Sequence, residues 1–427
     1  MKKVAMVSCL MAGFISLISP CLAAEPQSES VDPTTLLRKV MTGYQGWFRC
    51  PGDATNLGWV HWSRNRKQLT PETLNVDLWP DTREYTAAEL YPAPGFTIDG
   101  GKQAYLYSAD NPATVLRHFQ WMQDYGIDGA WLQRFLVGLP GGRASKGGIY
   151  ESNRRMIDHV AQAAEKTGRV WTISYDIAQR PTTEIFDSLT ADWKKLVDEG
   201  VTRGPRYLHH KGLPVVQIWG FYYNNQTNLM TAEVANKLID FFQTPGPYQA
   251  FLVGGGSWNW RTVPDPEWQK YYRRFGAYCP WNVGNRTSDK GGKPVAAATK
   301  TWHDDLHDCQ ERGVIWMPVV YPGFSWVNIM QARNAERILT IPRRDGQFLW
   351  EQFYALAQLK VDCAYLAMFD EVDEGTAIYK LATSSRVDSF TIQRDKLPSD
   401  WYLRVTREGI KMLHGQRPIT AEIPIKP

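Results

Sequence analysis

Short apolar runs alternate with amphipathic, charge-rich segments along most of the chain. Eight runs have about the length of a buried strand and lack the polar alternation of a half-exposed one, as parallel strands covered on both faces do. They start at Val40, Gly126, Arg169, Leu213, Ala250, Ala277, Val314 and Cys363. This pattern predicts eight buried parallel strands.

The segments between the runs have the pattern of helices. In the first, Val115, Phe119 and Met122 recur at i, i+4 and i+7 ahead of Gly126. The segment after the fifth run is the weakest candidate because it is short. Eight strand–helix alternations without a Pro-rich or Gly/Ser-rich linker predict one α/β domain, a (β/α)8 TIM barrel over residues 40–415. A doubly wound open sheet is the alternative, although no G-x-G-x-x-G follows the first run.

The two ends of the chain lie outside this alternation. Residues 1–24 contain two lysines, an apolar stretch and a small-residue region at Ala23 and Ala24, which predicts a signal peptide and export to the periplasm or beyond a bacterial cell. The stretch is shorter than the ~20 residues that span a bilayer, so we expect no stable membrane insertion. Lipidation at Cys21 is the alternative, with Pro20 against it. We expect a polar leader over residues 25–39 and a C-terminal tail over residues 416–427.

Charge and cysteine content narrow the classes of partner. The formal net charge of +4 is too small to indicate nucleic acid or a membrane surface as a partner. Outside the predicted signal peptide, four cysteines allow three disulfide pairings in an oxidising compartment, at Cys50, Cys279, Cys309 and Cys363. Their spacing is not that of a metal site. His303 and His307 have a metal-like i, i+4 spacing on a polar helix, which we interpret as a solvated face, and we expect no metal or cofactor.

Aromatic residues are the compositional outlier, with 18 Trp and 20 Tyr. Many lie in polar, loop-like settings, and flat amphipathic rings suit the weakly apolar faces of sugars. The active site of a (β/α)8 barrel lies at the C-terminal ends of the strands, and an unusually long polar connection at residues 50–107 is expected to help build it. The predicted substrate contacts are Tyr44, Trp47, Trp59, His61, Trp62, Arg134, Tyr175, Asp176, Gln217, Trp258, Trp281, Asn282, Tyr321 and Trp326, with Asp370 and Asp373 after the eighth run.

The stretch "FDEVDEGT" at the end of the eighth run contains four carboxylates. Two carboxylates at an aromatic rim suit glycosidic bond cleavage, in which one protonates the leaving oxygen and the other acts as nucleophile or base. Glu371 and Glu374 would come within ~5–6 Å if the chain turns helically there. In the alternative, Asp370 and Asp373 cap the next helix and the glutamates complement its dipole.

This stretch resembles the E-W-H-E-G-T signature of the endo-α-mannosidases of glycoside hydrolase family 99 and of the family 71/99-like group, whose members are often labelled xylosidases or arabinosidases. The stretches "GWVHWS", "YLYSADNPATVLRHFQWMQDYGIDGAW" and "MPVVYPGFSWVN" resemble further elements of the family. The resemblance implies a (β/α)8 barrel and retaining hydrolysis of an α-linked oligo- or polysaccharide. Glu371 would be the base on the sugar 2-hydroxyl and Glu374 the general acid/base.

Two departures from the family pattern bear on which sugar is recognised rather than on the reaction, because both glutamates are present. Val372 and Asp373 replace the Trp-His between the two glutamates, and "GYQGWF" replaces a tyrosine-rich first strand. A non-catalytic carbohydrate-binding protein on the same barrel is the alternative from another functional class. Such a protein would have little reason to keep both glutamates.

Overall fold

The computed structural model describes residue 1 and residues 30–98, 101–223, 230–331, 340–382 and 397–427. The predicted signal peptide, apart from Met1, and the start of the predicted leader lie outside the described residues. No helix of the described ranges is long and apolar enough to cross a membrane.

All eight apolar runs form strands of one parallel sheet. The strands are β1 (Val40–Tyr44), β2 (Gly129–Phe135), β3 (Val170–Asp176), β4 (Leu213–Phe221), β5 (Phe251–Gly256), β6 (Ala277–Pro280), β7 (Ile315–Trp316, resuming at Val319–Val320) and β8 (Ala364–Leu366). Each strand pairs in parallel with the next along the chain, and β8 pairs with β1. Some connections between these strands contain short antiparallel strand pairs, for example Leu90–Ile98 with Lys102–Tyr107.

The interrupted strand β7 closes the sheet into a ring. Its first half pairs with β6, where Ile315 lies opposite Ala277. Its second half pairs with β8, where Val319 lies opposite Tyr365. The break falls at Pro318, which has no N–H to donate to a neighbouring strand. The predicted (β/α)8 barrel is therefore confirmed, and the open doubly wound sheet is wrong.

Helices follow the strands on the outside of the barrel. They are α1 (Pro112–Asp124), α2 (Ile149–Thr167), α3 (Thr182–Asp198), α4 (Ala232–Gln243), α5 (Pro266–Tyr272), α6 (Trp302–Glu311), α7 (Val327–Gln331), α8 (Gln347–Gln358) and α9 (Trp401–Leu413). In α1 the Asn111 side chain accepts the Ala113 N–H at the cap, and the predicted apolar face is buried. The predicted short helix after β5 has seven residues.

Alternate residues of each strand point to opposite sides of the barrel wall. Trp131, Val253 and Tyr365 belong to the cluster that fills the interior. Leu132 and Ile173 belong to the larger cluster between the strands and the helices. Side chains alternate between the two sides along a strand. Knowing which residues of a strand point inward therefore decides which residues at its end face a central cavity.

Both ends of the described chain pack on the barrel. In the leader, Leu36 is buried and its N–H donates to the imidazole of His210. In the tail, the carbonyl of Thr420 accepts from the indole N–H of Trp350. The four cysteines outside the predicted signal peptide are buried and free, so none of the three possible pairings is formed.

Candidate active site

A cavity of about 360 Å³ opens at the C-terminal ends of the barrel strands. Three carboxylates face it: Asp176 at the end of β3, and Glu371 and Glu374 after β8. The other lining residues are Gln45, Trp47, Gln133, Phe135, Gln217, Trp219, Trp281, Val283, Gly284, Phe324, Trp326, Tyr365 and Met368. The site therefore combines acids with aromatic and amide walls.

Residues 370–375, here called the acid turn, follow β8 as a turn rather than a helix. The Thr376 N–H donates to the carbonyl of Glu371 at 3.1 Å, and the Ser325 N–H donates to the carbonyl of Glu374 at 2.8 Å. Gly375 has a φ of +64°, and a Cβ there would meet Ser325 at 2.8 Å, so the tight turn needs glycine. The helix-capping interpretation of Asp370 and Asp373 is wrong, because no helix starts here.

Glu371 is buried at the floor of the cavity. Its Oε1 accepts a hydrogen bond of 2.9 Å from the side-chain amide of Gln45. Burial raises the pKa of Glu371 well above its usual value, and the charges of Glu374, Asp373 and Asp370 raise it further. The Gln45 donor opposes this rise, because it stabilises the ionised form.

Glu374 faces the same cavity across the acid turn. Burial raises its pKa to about 8, helped by the charges of Asp373 and Asp176, while the Trp326 indole beside it has the opposite effect. Because the two glutamates interact and both pKa values are raised, the pair retains at least one proton at neutral pH. An acid and a potential base thus lie together in a partly apolar pocket.

Asp370 does not line the cavity but supports it. Its carboxylate accepts the backbone N–H groups of Gln45 at 2.8 Å and Gly46 at 2.9 Å, which ties the end of β8 to the end of β1. Burial raises its pKa to about 7, against the effect of these two donors. Asp370 therefore fixes the backbone of the residue whose side chain holds Glu371.

Five of the predicted contact residues line the cavity, in addition to the two glutamates. They are Trp47, Asp176, Gln217, Trp281 and Trp326. Asp176 accepts the Ala178 N–H at 2.7 Å, and burial raises its pKa to about 7. The Trp47 indole nitrogen and Gln45 Oε1 are buried without a hydrogen-bond partner in the described structure.

Two other predicted contacts point away from the cavity, into the layer between strands and helices. The Arg134 guanidinium makes two hydrogen bonds of 2.6 Å to Asp192 of α3. The Tyr175 hydroxyl donates to the same carboxylate at 2.7 Å. Strand alternation explains this placement, since the cavity side belongs to Gln133 and Asp176, one residue before Arg134 and one after Tyr175.

Three further predicted contacts are packed in the core instead of the cavity. The Tyr44 hydroxyl lies 2.8 Å from Nδ1 of His118, and the Trp62 indole donates to the carbonyl of Tyr107 at 3.1 Å. Trp59 is 5% exposed. All three are buried in the core, so their apolar character reflects packing.

The remaining predicted contacts do not line the cavity. The Tyr321 hydroxyl donates to the carbonyl of Asn285 at 2.7 Å, and Asn282 accepts from the Asn285 side chain at 2.9 Å. Both brace the loop after β6. Trp258 is 42% exposed and borders a separate small pocket beside Arg261. His61 and Asp373 contact each other at the cavity edge, with 3.0 Å between His61 Nδ1 and Asp373 Oδ2.

Several lining residues are not among the predicted contacts. Gln133 and Tyr365 meet across the barrel, where the Gln133 amide donates to the Tyr365 hydroxyl at 2.7 Å. Gln45 and Trp219 also face the cavity. Side chains alternate along a strand, so one known inward-facing residue in each strand is enough to predict that Gln133 and Tyr365 also face inward.

The predicted solvated face at His303 and His307 is exposed in α6, where His303 contacts Asp304 and His307 contacts Glu311. Within the described ranges, no group of His, Cys, Asp and Glu side chains is arranged to hold a metal ion.

Comparison with known proteins identifies the fold of this site. No family model and no curated protein sequence matches the chain. Among solved structures, the GH99 endo-α-mannosidase from Bacteroides thetaiotaomicron in complex with BIS-TRIS-propane matches with a TM-score of 0.62 and 16% identity, over 90% of this chain and 99% of that one. A second structure of that enzyme matches with the same TM-score of 0.62 and 13% identity, over 89% and 99%. The resemblance inferred from the acidic motif is therefore confirmed at the level of the fold.

Proposed function

We propose that the protein is a glycoside hydrolase that cleaves an α-linked oligo- or polysaccharide with retention of configuration. One observation carries the proposal: two interacting glutamates, Glu371 buried and Glu374 partly buried, follow β8 and face an aromatic-walled cavity of a (β/α)8 barrel. Buried carboxyl pairs with raised pKa values are typical of acid–base catalysts. The fold shared with an endo-α-mannosidase supports this chemistry.

In the proposed mechanism, Glu371 acts as the base and Glu374 as the acid. Glu371 removes the proton from the sugar 2-hydroxyl, whose oxygen attacks C1 as the glycosidic bond breaks, and Glu374 protonates the leaving oxygen. Glu374 then takes a proton from water, which opens the resulting 1,2-anhydro sugar at C1, while Glu371 returns the proton to O2. Two inversions at C1 give net retention.

The cavity walls suit a sugar ring. Trp281 and Trp326 offer flat faces for the C–H side of the ring, and Trp47 adds an aromatic wall that is stacked between His61 and Phe135. The indole nitrogen of Trp47 and the amide oxygen of Gln45 are buried without a partner in the described structure, and sugar hydroxyls can pair with both. We assign Asp176, Gln217 and these residues to substrate binding.

Replacement of Glu374 by Gln tests the acid role. A substrate with a good leaving group needs little protonation, so Glu374→Gln should lower kcat/KM about 10²- to 10⁴-fold more for a poor leaving group than for a good one. The measurement is steady-state kinetics on two α-glycosides that differ only in the leaving group. Equal losses on both would remove Glu374 from the acid role.

Replacement of Glu371 by Gln is the companion test. It should abolish turnover of both substrates while calorimetric binding of the sugar persists, because the fold and cavity walls are unchanged. A screen of α-linked polysaccharides with mass analysis of the products identifies the substrate. If the unaltered protein binds a glycan and never cleaves one, the protein is a carbohydrate-binding protein.

We also propose that the protein is exported. The proposal is supported by the lysines, apolar stretch and small residues of residues 1–24. Export predicts a mature N-terminus at Glu25, measured by N-terminal sequencing of protein recovered from the periplasm or the medium. An intact N-terminus in the cytoplasm would contradict it.

A further inference from the structure

His61 and Asp373 form a contact at the cavity edge that the proposed reaction does not use. His61 Nδ1 lies 3.0 Å from Asp373 Oδ2. The His61 imidazole stacks on the Trp47 indole, with 3.7 Å between ring centroids and 7° between ring planes. Trp47 lines the cavity. Asp373 of the acid turn therefore contacts His61, and His61 in turn contacts a residue of the cavity wall.

The backbone around His61 holds the imidazole in place. His61 has a φ of +62°, a left-handed conformation that few residue types other than Gly, Asn, Asp and His adopt readily. Trp59 and Trp62 on either side are buried, and the Trp59 N–H donates to the carbonyl of Arg66 at 2.8 Å. The ring is therefore presented by an anchored segment of the long connection.

Asp373 lies among other carboxylates. It is 3% exposed, and its Oδ1 atom has no hydrogen-bond partner in the described part of the chain. The acids around it come from its own turn and from the long connection: Asp370, Glu371, Glu374 and Asp77. Two basic residues are near: His61, which pairs with Asp373, and Arg343, which donates to the carbonyls of Gly375 and Ala377 at 2.7 Å.

The charge of Asp373 acts on both glutamates. After burial it is the largest cause that raises the pKa of Glu374, and it also raises the pKa of Glu371. His61 fixes the position of the Asp373 carboxylate through the 3.0 Å contact between His61 Nδ1 and Asp373 Oδ2. Asp373 stands where the family has the His of its Trp-His pair, so a carboxylate takes the place of an imidazole.

We propose that the His61–Asp373 pair is a positioning unit of the site: it holds Trp47 as a wall of the cavity and fixes the Asp373 carboxylate beside Glu374. It follows that Glu374 keeps its proton to higher pH than it would with a neutral neighbour. The charge role rests on the proposed function, because it matters to catalysis only if Glu374 is the acid. Neither His61 nor Asp373 touches the reacting atoms.

Asp373→Asn tests the charge. The Asn side-chain oxygen can still accept from His61, so the Trp47 contact is kept while the charge is removed. We expect the alkaline limb of the kcat/KM profile to move to lower pH by about one unit, because a like charge no longer opposes ionisation of Glu374. The maximum of the profile should change little.

His61→Asn tests the wall. Asn adopts the left-handed conformation and offers an N–H near the position of Nδ1, but it has no ring to stack on Trp47. We expect KM to rise about 2- to 10-fold, the equivalent of one lost aromatic pair, with kcat and the alkaline limb unchanged. A normal KM would remove the positioning role of His61.

A substrate-free measurement separates this inference from the proposed function. Thermal unfolding of the Asp373→Asn variant and the unaltered protein should give a Tm difference in favour of the variant that grows as the pH rises through about 8, the pKa of Glu374. Asp187→Asn, which removes an exposed carboxylate from α3, is the control and should give a flat difference.

The outcomes are distinct. If no glycan is cleaved but the Tm difference grows with pH, the proposed function fails and the charge coupling stands. If glycans are cleaved while neither the alkaline limb nor the Tm difference moves in Asp373→Asn, the charge role is overturned and the proposed function stands.

Discussion

At the scale of single residues, neighbours at the end of one strand have separate roles. Gln133 faces the cavity and contacts Tyr365, whereas Arg134 faces α3 and pairs with Asp192. Asp192 raises the pKa of Arg134 above its usual value, although burial has the opposite effect. The chemistry of an arginine near a site is therefore a poor guide to its role unless the direction of its side chain is known.

The first prediction concerns this buried pair. Arg134→Met leaves Asp192 buried with the Tyr175 hydroxyl as its remaining hydrogen-bond donor, so the free energy of unfolding should fall by about 3–5 kcal/mol. The double variant Arg134→Met, Asp192→Leu should recover much of this loss, since no charge is left unpaired. Urea denaturation of both variants measures the effect. If Arg134→Met instead has normal stability and a raised KM, Arg134 binds substrate, as the sequence predicted.

At the scale of elements, the long connection at residues 50–107 supports the cavity more than it lines it. The Asp77 carboxylate accepts hydrogen bonds from the Ser325 hydroxyl at 2.6 Å, the Val327 N–H at 2.7 Å and the Asn328 N–H at 2.9 Å. These bonds fix the start of α7 and the residue before it, Trp326, which faces the cavity. The prediction that this connection builds the site holds in this indirect sense.

The second prediction follows from these bonds. Asp77→Ala leaves two backbone N–H groups at the start of α7 without an acceptor, so the free energy of unfolding should fall by about 1–3 kcal/mol. KM should rise because Trp326 is no longer fixed. Glu72→Ala is the matched control, since Glu72 is an exposed carboxylate of the same connection and such surface changes alter stability by about 0.5 kcal/mol or less. An unchanged KM in Asp77→Ala would contradict the supporting role.

At the scale of the whole molecule, burial raises the pKa values of several acids of the site to neutrality or above. The pKa values of Asp176 and Asp370 are raised to about 7 and that of Glu374 to about 8. Burial lowers the pKa of His118 to about 3. These groups make the folded and unfolded states bind different numbers of protons, so the stability depends on pH.

The third prediction is the sign of that dependence. Between pH 7 and 8.5, His118 is neutral in the folded state and mostly neutral in the unfolded state, while the three acids are partly protonated in the folded state and release those protons on unfolding. Stability contributed by a carboxyl with a raised pKa is lost as the pH rises through that value, so the free energy of unfolding should fall across this range. Denaturation at several pH values measures it, and Glu374→Gln should flatten the slope. A rising stability would contradict these protonation states.

The sequence alone determined the eight strands, the closed barrel and the acidic end of β8, because long buried runs and their order depend on local pattern and chain direction. It could not determine which residues of each strand point inward, for example that Gln133 faces the cavity and Arg134 faces α3. Strands buried on both faces carry no polar alternation that would show this. The tertiary structure also decided that the acid turn is no helix and that Asp373 meets His61, 312 positions away. Such contacts depend on loops from distant elements meeting at one end of the barrel, and no local pattern in the sequence encodes that meeting.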